Sequence, residues 1–399
     1  MALFRRIAHV VSDMPEYRSR TLVVMPDLLP RYGTATLADV LPGLLHSVGA
    51  PLDDRPPAFA LPQARAAVLL LVDGLGHENL RAHAADAPVL AGLADAGPLT
   101  VGFPSTTPIS LTSLGTGLPP GAHGTLGLSF RVDGTLLDAL GWSAGRKDLR
   151  DKLVPEQVQP EPTVLERAAA AGVAVRSVSP LEFRTSGLTR SGLRGGEYRG
   201  VAALGDLAVE ILSGVEGAGP RLVYAYHADL DKVGHLHGPG SPAWRWQLRQ
   251  IDALLGMLLD ALPSGTLLAV TGDHGMVTVD RVADADAEPA LQDGVALLGG
   301  DPRARQVYTR PGAAGDVLAA WRATLGDDAW VVTRDEAVAE GWFGPVSDRV
   351  RDRIGDVVVA LRGTAAVVRR KAEPYLSSFP GQHGSLTPAE QLVPLLVHA

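Results

Sequence analysis

The sequence contains no cysteine. That excludes disulfides, thiolate metal ligands, a cysteine nucleophile and a formylglycine made from cysteine, so any metal site must draw on histidine and carboxylate. It has no basic excess either. The formal charge is −8, which argues against a general nucleic-acid binder with its basic stripe. No apolar run approaches the roughly 18 to 20 residues that cross a membrane. The opening "MALFRRIAHVVSDMPEYRSR" lacks the apolar stretch of a signal peptide. The expected partners therefore include neither membrane nor nucleic acid, and the expected location is the cytoplasm. Charged residues are few, 20% against 46% apolar in 399 residues. That suits one large α/β domain with insertions, or two ordinary domains.

Short apolar runs recur, and three of them end on an acidic residue. "AAVLLLVDG" ends at Asp73, "RLVYAYHADLD" at Asp231 and "TLLAVTGDHG" at Asp273. Continuous apolar runs alternating with helical segments predict a mostly parallel sheet covered on both faces. "EPTVLERAAAAG" reads as a helix, with Pro162 near its start and Gly172 past its end. "SPAWRWQLRQIDALLGMLLDALPSG" reads as another, capped by Ser241, with Leu248, Ile251, Leu255, Leu258 and Leu262 on its core face. Residues 281–375 change character, with strand-like "RQVYTR", "AWVVT", "DVVVAL" and "AAVVRR" among helical stretches. The predicted division is an N-terminal extension (1–60), a core (61–280 with 376–399) and a small α/β insert (281–375).

In open α/β sheets functional groups gather where strands end. Asp231 and His235 stand four apart, one face of a helix, and can grip one ion. Asp273 and His274 are adjacent in "GDHG", and His383 stands in "GQHGS". Three aspartates and three histidines in glycine-flanked loops are the donor set for two divalent ions. Such a pair suits in-line displacement at phosphorus.

"FPSTTPISLTSLGTG" then supplies the nucleophile. Thr107 precedes Pro108, so its backbone is biased to the extended form of an N-cap, while proline suits the first helical turn. At that positive helix end a threonine alkoxide and a phosphate are both favoured. A metal on the same oxygen would lower its pKa further.

Together, "LVDGLG", "FPSTTPISLTSLGTGLPPGAHG", "DLDKVGHLHGPGS", "VTGDHGM" and "GQHGS" resemble the alkaline phosphatase superfamily, and within it the nucleotide pyrophosphatase/phosphodiesterase (type I phosphodiesterase) group. The resemblance implies an alkaline-phosphatase-like fold, a central mostly parallel sheet between helical layers with a smaller α/β insert. It implies one zinc on Asp231, His235 and His383, and another on Asp73, Asp273, His274 and the oxygen of Thr107. Manganese or iron is compatible with the same ligands. The implied reaction is hydrolysis of a small phosphodiester or nucleotide pyrophosphate through a phospho-threonine.

One departure stands out. The asparagine that many relatives aim at a phosphate oxygen is replaced by Leu128, with Ser129 beside it. Ser129, Arg131 and Arg184 are the expected substrate contacts. A phosphomonoesterase or phosphonate hydrolase on the same metals, a phosphomutase, and an inactive metal-binding protein stay open as alternatives. A sulfatase is disfavoured, since no C/S-x-P-x-R segment precedes a helix.

Overall fold

The computed structural model describes residue 26 and residues 28–399, so the N-terminal stretch read above lies outside the described residues. The central sheet runs in the order Ala94–Asp95, Leu395–His398, Thr266–Thr271, Ala66–Val72, Arg221–His227, Ala174–Pro180 and Glu197–Val201. The five strands from Thr266–Thr271 to Glu197–Val201 are mutually parallel, and Leu395–His398 and then the edge strand Ala94–Asp95 add to one side, each antiparallel to its neighbour. Every residue of Ala66–Val72 is buried. Ala67, Leu69 and Leu71 face the helices Val40–Ser47, Thr107–Thr116 and Val164–Ala170, while Val68, Leu70 and Val72 face Leu204–Gly214 and Pro242–Ala261. Two covered faces are why the run reads as continuously apolar rather than alternating.

The two helices read from their caps, Val164–Ala170 and Pro242–Ala261, form as expected. Ser241 Oγ accepts from the Trp244 N–H at 3.3 Å with Pro242 behind it, and Leu248, Ile251, Leu255 and Leu258 are fully buried beyond. Each of these contributes about 1.5–3 kcal/mol of burial. Leu262 is the residue that ends the helix, half-buried in an extended conformation. Pro162 directly precedes Thr163, the cap of Val164–Ala170, which forms a reciprocal capping box with Glu166 at 3.0 and 2.9 Å. "LVPLLV" splits at Pro394. Leu392–Val393 pairs with Leu99–Thr100, and Leu395–His398 joins the main sheet.

Residues 295–361 build a second sheet, in the order Val295–Asp301, Ala304–Thr309, Val357–Leu361 and Ala329–Thr333. All its pairings are antiparallel. The helix Ala314–Leu325 covers one face with Val317, Trp321 and Leu325. The other face buries Trp330 and Val358 against Phe103, Phe130 and Trp142. Phe130 belongs to a small antiparallel sheet over Ser129–Asp148 that periodicity did not predict, because its strands are two to four residues long. Arg281–Asp284 and Ala365–Val368, leading into and out of this region, pair with each other.

Candidate active site

Register brings the three strand ends level. Leu71 pairs with Thr271 and Val72 with His227, so Asp73 and Asp273 leave the same edge of the sheet side by side. Asp231 follows in the first turn of the helix Asp229–His237, whose last turn carries His235. The loops pack closely enough to need glycine. Gly74 has φ +75°, and a Cβ there would sit 2.9 Å from the Cα of Asp231. A Cβ on Gly381 would meet the Gly234 carbonyl at 2.1 Å.

The three histidines are oriented alike. His235 Nδ1 lies 2.8 Å from the Gly381 carbonyl, His383 Nδ1 2.9 Å from the Ser105 carbonyl, and His274 Nδ1 3.1 Å from the Gly275 carbonyl. A ring nitrogen beside a carbonyl carries the proton, so each Nε2 keeps its lone pair for a cation. Those lone pairs converge. His235 Nε2 stands 3.2 Å from His383 Nε2 and 3.4 Å from Asp231 Oδ2. His274 Nε2 stands 3.5 Å from both Asp73 Oδ1 and Asp273 Oδ2, and 3.2 Å from Thr107 Oγ1.

The carboxylates show the complementary deficit. Asp73 Oδ1, Asp231 Oδ1 and Asp273 Oδ2 are buried with no hydrogen-bond partner among the described residues. Asp73 Oδ2 accepts from Tyr226 Oη, and Asp273 Oδ1 from the Gly74 N–H at 3.0 Å. Burial, with Asp273 and Asp231 alongside, pushes the Asp73 carboxyl well above the usual range. Burial raises Asp231 as well, against the pull of His235 and His274. His383 is pushed well below the histidine range by burial and by its neighbours His274 and His235. Orphaned buried oxygens facing imidazole lone pairs are what divalent cations satisfy, so the donor set fits two such ions. The donor atoms of Asp231, His235 and His383 lie within 4.8 Å of one another, as do those of Asp73, Asp231 and His274. Asp231 thus belongs to both groups, where the sequence placed it in one.

Thr107 opens the helix Thr107–Thr116 and is itself buried. The cap falls one residue earlier than expected. Thr106 is extended (φ −143°, ψ 148°), and its carbonyl accepts from the Ile109 and Ser110 N–H groups at 3.0 Å each. The physical reason is Asp301, whose Oδ1 takes Thr106 Oγ1 at 2.9 Å and holds the cap side chain outside the helix.

Asp301 is the residue that the sequence reading missed. It is buried at the end of "VALLGGD", the same apolar-run-to-aspartate signal that marked the other three. Its Oδ2 accepts from the Leu128 N–H at 3.3 Å, and burial pushes its carboxyl up to about 6. Two residues on, the wholly buried Arg303 pairs with Glu390 at 2.7 Å. Glu390 also accepts from the Ser385 N–H at 3.0 Å, which fastens the loop that carries His383.

Of the expected substrate contacts, Ser129 lines the cleft of about 650 Å³ in front of Thr107. Arg131 and Arg184 do not. The Arg131 guanidinium lies over the Tyr308 ring, 4.6 Å from its centroid, and donates to the Asp352 carbonyl at 2.9 Å. Arg184 is exposed at the end of the short turn Leu181–Phe183. Charge alone, without a packing partner in view, cannot tell a cleft arginine from a surface one.

The fold is that of the alkaline phosphatase superfamily. The chain superimposes on murine ectonucleotide pyrophosphatase/phosphodiesterase 5, in an inactive threonine-to-alanine form in complex with AMP, with a TM-score of 0.64 at 18% identity, over 83% of this chain and 87% of that one. It superimposes on phosphonoacetate hydrolase from Sinorhizobium meliloti, in complex with phosphonoformate, with a TM-score of 0.63 at 21% identity, over 84% and 90%. The chain belongs to the type I phosphodiesterase / nucleotide pyrophosphatase family, whose model matches residues 67–386. It is 40% identical over 67 residues to human ectonucleotide pyrophosphatase/phosphodiesterase family member 7, a stretch that is 16% of this chain and 15% of that protein. Among the described residues, no helix is long and apolar enough to cross a membrane.

Proposed function

We propose that the protein is a two-metal phosphohydrolase that cleaves phosphodiester or nucleotide pyrophosphate bonds through a phospho-threonine on Thr107. The observation that carries this reading is the convergence of three Nε2 lone pairs and three unpartnered carboxylate oxygens beside Thr107 Oγ1. Asp231, His235 and His383 would hold one ion, and Asp73, Asp273, His274 and Thr107 the other, zinc being the first choice for this donor set. When bound, the ions supply Lewis-acid charge that lowers the pKa of a hydroxyl and offsets charge building on the phosphoryl oxygens.

The chain's own residues do the rest. Thr107 Oγ1 bonds to phosphorus as the leaving oxygen departs on the opposite side, and water then displaces Thr107 in a second in-line step. The Thr107 N–H makes no hydrogen bond among the described residues, and it stands at the positive end of its helix, where it can donate to a phosphoryl oxygen. Pro108 offers no N–H, and the Leu128 N–H is taken by Asp301. The three Nδ1–H bonds to main-chain carbonyls hold the imidazoles against rotation.

A phosphonate hydrolase or phosphomonoesterase is the second reading, favoured by Leu128 standing in place of the asparagine. The test is zinc-loaded protein on bis-p-nitrophenyl phosphate and p-nitrophenyl phosphate, beside Thr107→Ala. Preference for the diester, with kcat/KM down at least about a thousandfold in the variant, supports the first reading. Preference for the monoester moves the protein to the second, and wild-type rates in Thr107→Ala would refute both.

A further inference from the structure

Two cavities meet at Thr107. The larger, about 650 Å³, has Leu376 and Phe379 on its wall together with the carboxylates Asp138 and Glu373. The smaller, about 260 Å³, shares Thr107, Leu140 and Asp231 with it and is built differently. Leu111 stands one turn beyond Thr107, so the nucleophile helix itself gives this cavity an apolar side. Leu188 and Leu193, on the helix Gly187–Gly192 and just past it, supply another, and Phe183 covers a third. The two helices touch backbone to backbone, since a Cβ on Gly115 would meet the Gly192 carbonyl at 1.8 Å. The leucine walls are therefore preformed.

The hydroxyls around this cavity are largely committed to the protein. Ser186 Oγ donates to Thr189 Oγ1 at 3.0 Å and accepts from the Thr189 N–H at 3.1 Å. Tyr226 Oη donates to Asp73, and the Tyr226 ring meets the Phe183 ring edge-on, centroids 6.2 Å apart. The Tyr224 Oη is wholly buried and does not open on the cavity. Ser179 and the exposed Lys232 are what remains. A space with leucine and aromatic walls and bonded hydroxyls gains from apolar atoms and offers little to a hydroxylated group. An apolar cavity of about 150 Å³ takes a benzene ring, so this one has room for an aryl ring or a short alkyl chain.

We propose that the smaller cavity holds an uncharged apolar arm of the substrate, a short alkyl or aryl group carried on the phosphorus that Thr107 attacks. The assignment rests on the reading of Thr107 as the nucleophile and narrows the substrate class. It favours a phosphodiester with at least one alkyl or aryl alcohol. In a nucleotide pyrophosphate the attacked phosphorus bears a ribose on one side and a second phosphate on the other, and neither matches these walls.

The test is calorimetric binding of single-arm phosphonates to the zinc-loaded protein. Each buried methylene is worth about fourfold, so butylphosphonate should bind roughly tenfold to sixtyfold tighter than methylphosphonate. The equally long 2,3-dihydroxypropylphosphonate should gain little over methyl. Phe183 lines only the smaller of the two cavities and is 36% exposed, so Phe183→Ala should fold and should cut the butyl-to-methyl ratio at least about threefold. Leu376→Ala, on the larger cavity alone, should leave that ratio unchanged. Equal affinity for methyl and butyl, or a dihydroxypropyl arm held as tightly as butyl, would overturn the proposal without any variant. So would a ratio that falls in Leu376→Ala and not in Phe183→Ala, which would put the arm in the larger cavity. Failure of the zinc-loaded protein to bind any phosphonate would instead defeat the reading on which the proposal rests.

Discussion

The imidazoles of His274 and His383 lie stacked, centroids 3.6 Å apart and planes 16° from parallel, although they come from loops more than a hundred residues apart. Each turns its Nε2 toward carboxylates that lack partners. With their Nδ1 atoms turned to main-chain carbonyls, the stacked rings face these carboxylates with lone pairs, and the proposed bound cations would compensate both. Chelation should therefore lower the thermal midpoint of unfolding. Zinc restored to about a hundred times its Kd should return about 2.7 kcal/mol. Calorimetry with and without chelator measures this, and coincident midpoints would count against the metal centre.

Away from the site, His123 sets a pH dependence of stability. Its Nδ1 accepts from the Thr125 N–H at 3.1 Å, and its Nε2 lies 3.0 Å from Ser113 Oγ. Burial first, and then Arg349 and Arg353, bring its pKa down from 6.5 to about 3. Between those values the unfolded chain binds a proton that the folded one refuses, so stability rises with pH across the window. It is full above about pH 6.5 and reduced by about 2 kcal/mol at pH 5. Urea titrations should show this slope flattened in His123→Gln.

Asp301 should act on turnover through Thr106. With Asp301→Ala the Thr106 hydroxyl and the Leu128 N–H both lose their acceptor. The first residue of the nucleophile helix then loses the anchor of its cap. The expected result is a fall in kcat of about tenfold, with stability down by about 1.5–3 kcal/mol. Asp301→Asn, which keeps one acceptor oxygen for Thr106, should recover most of kcat. If it behaves like alanine, the Thr106 bond is not what matters.

Glu390→Gln leaves the guanidinium of Arg303 buried against a neutral amide. Losing one partner of a fully buried pair costs about 3–5 kcal/mol. Because Glu390 also holds the Ser385 N–H, two residues past His383, zinc affinity should fall with stability. Equilibrium unfolding and competition with a chromophoric chelator read the two effects separately.

Much of this was legible in the chain. The apolar runs that lead to Asp73, Asp231 and Asp273 announce parallel strands with candidate ligands at their carboxyl ends, because both faces of such a sheet are covered and its functional edge is where the loops begin. The spacing of Asp231 and His235 and the capping residues of the long helices are local properties, written within one or two turns. Register, by contrast, sets Asp73 and Asp273 level across neighbouring strands. Backbone carbonyls from Gly381 and Ser105 choose the proton-bearing nitrogen of each histidine, and no sequence pattern marks a carbonyl. Arg131 and Arg184 show the same limit, since a guanidinium goes where its packing partner is. Tyr224 shows it too, because an orphaned hydroxyl exists only once the surrounding core has closed. The sequence alone marked the candidate ligands and the candidate nucleophile, through short-range period and cap. The tertiary structure decided which of them meet and what shape of substrate they leave room for, because those depend on contacts between segments hundreds of residues apart.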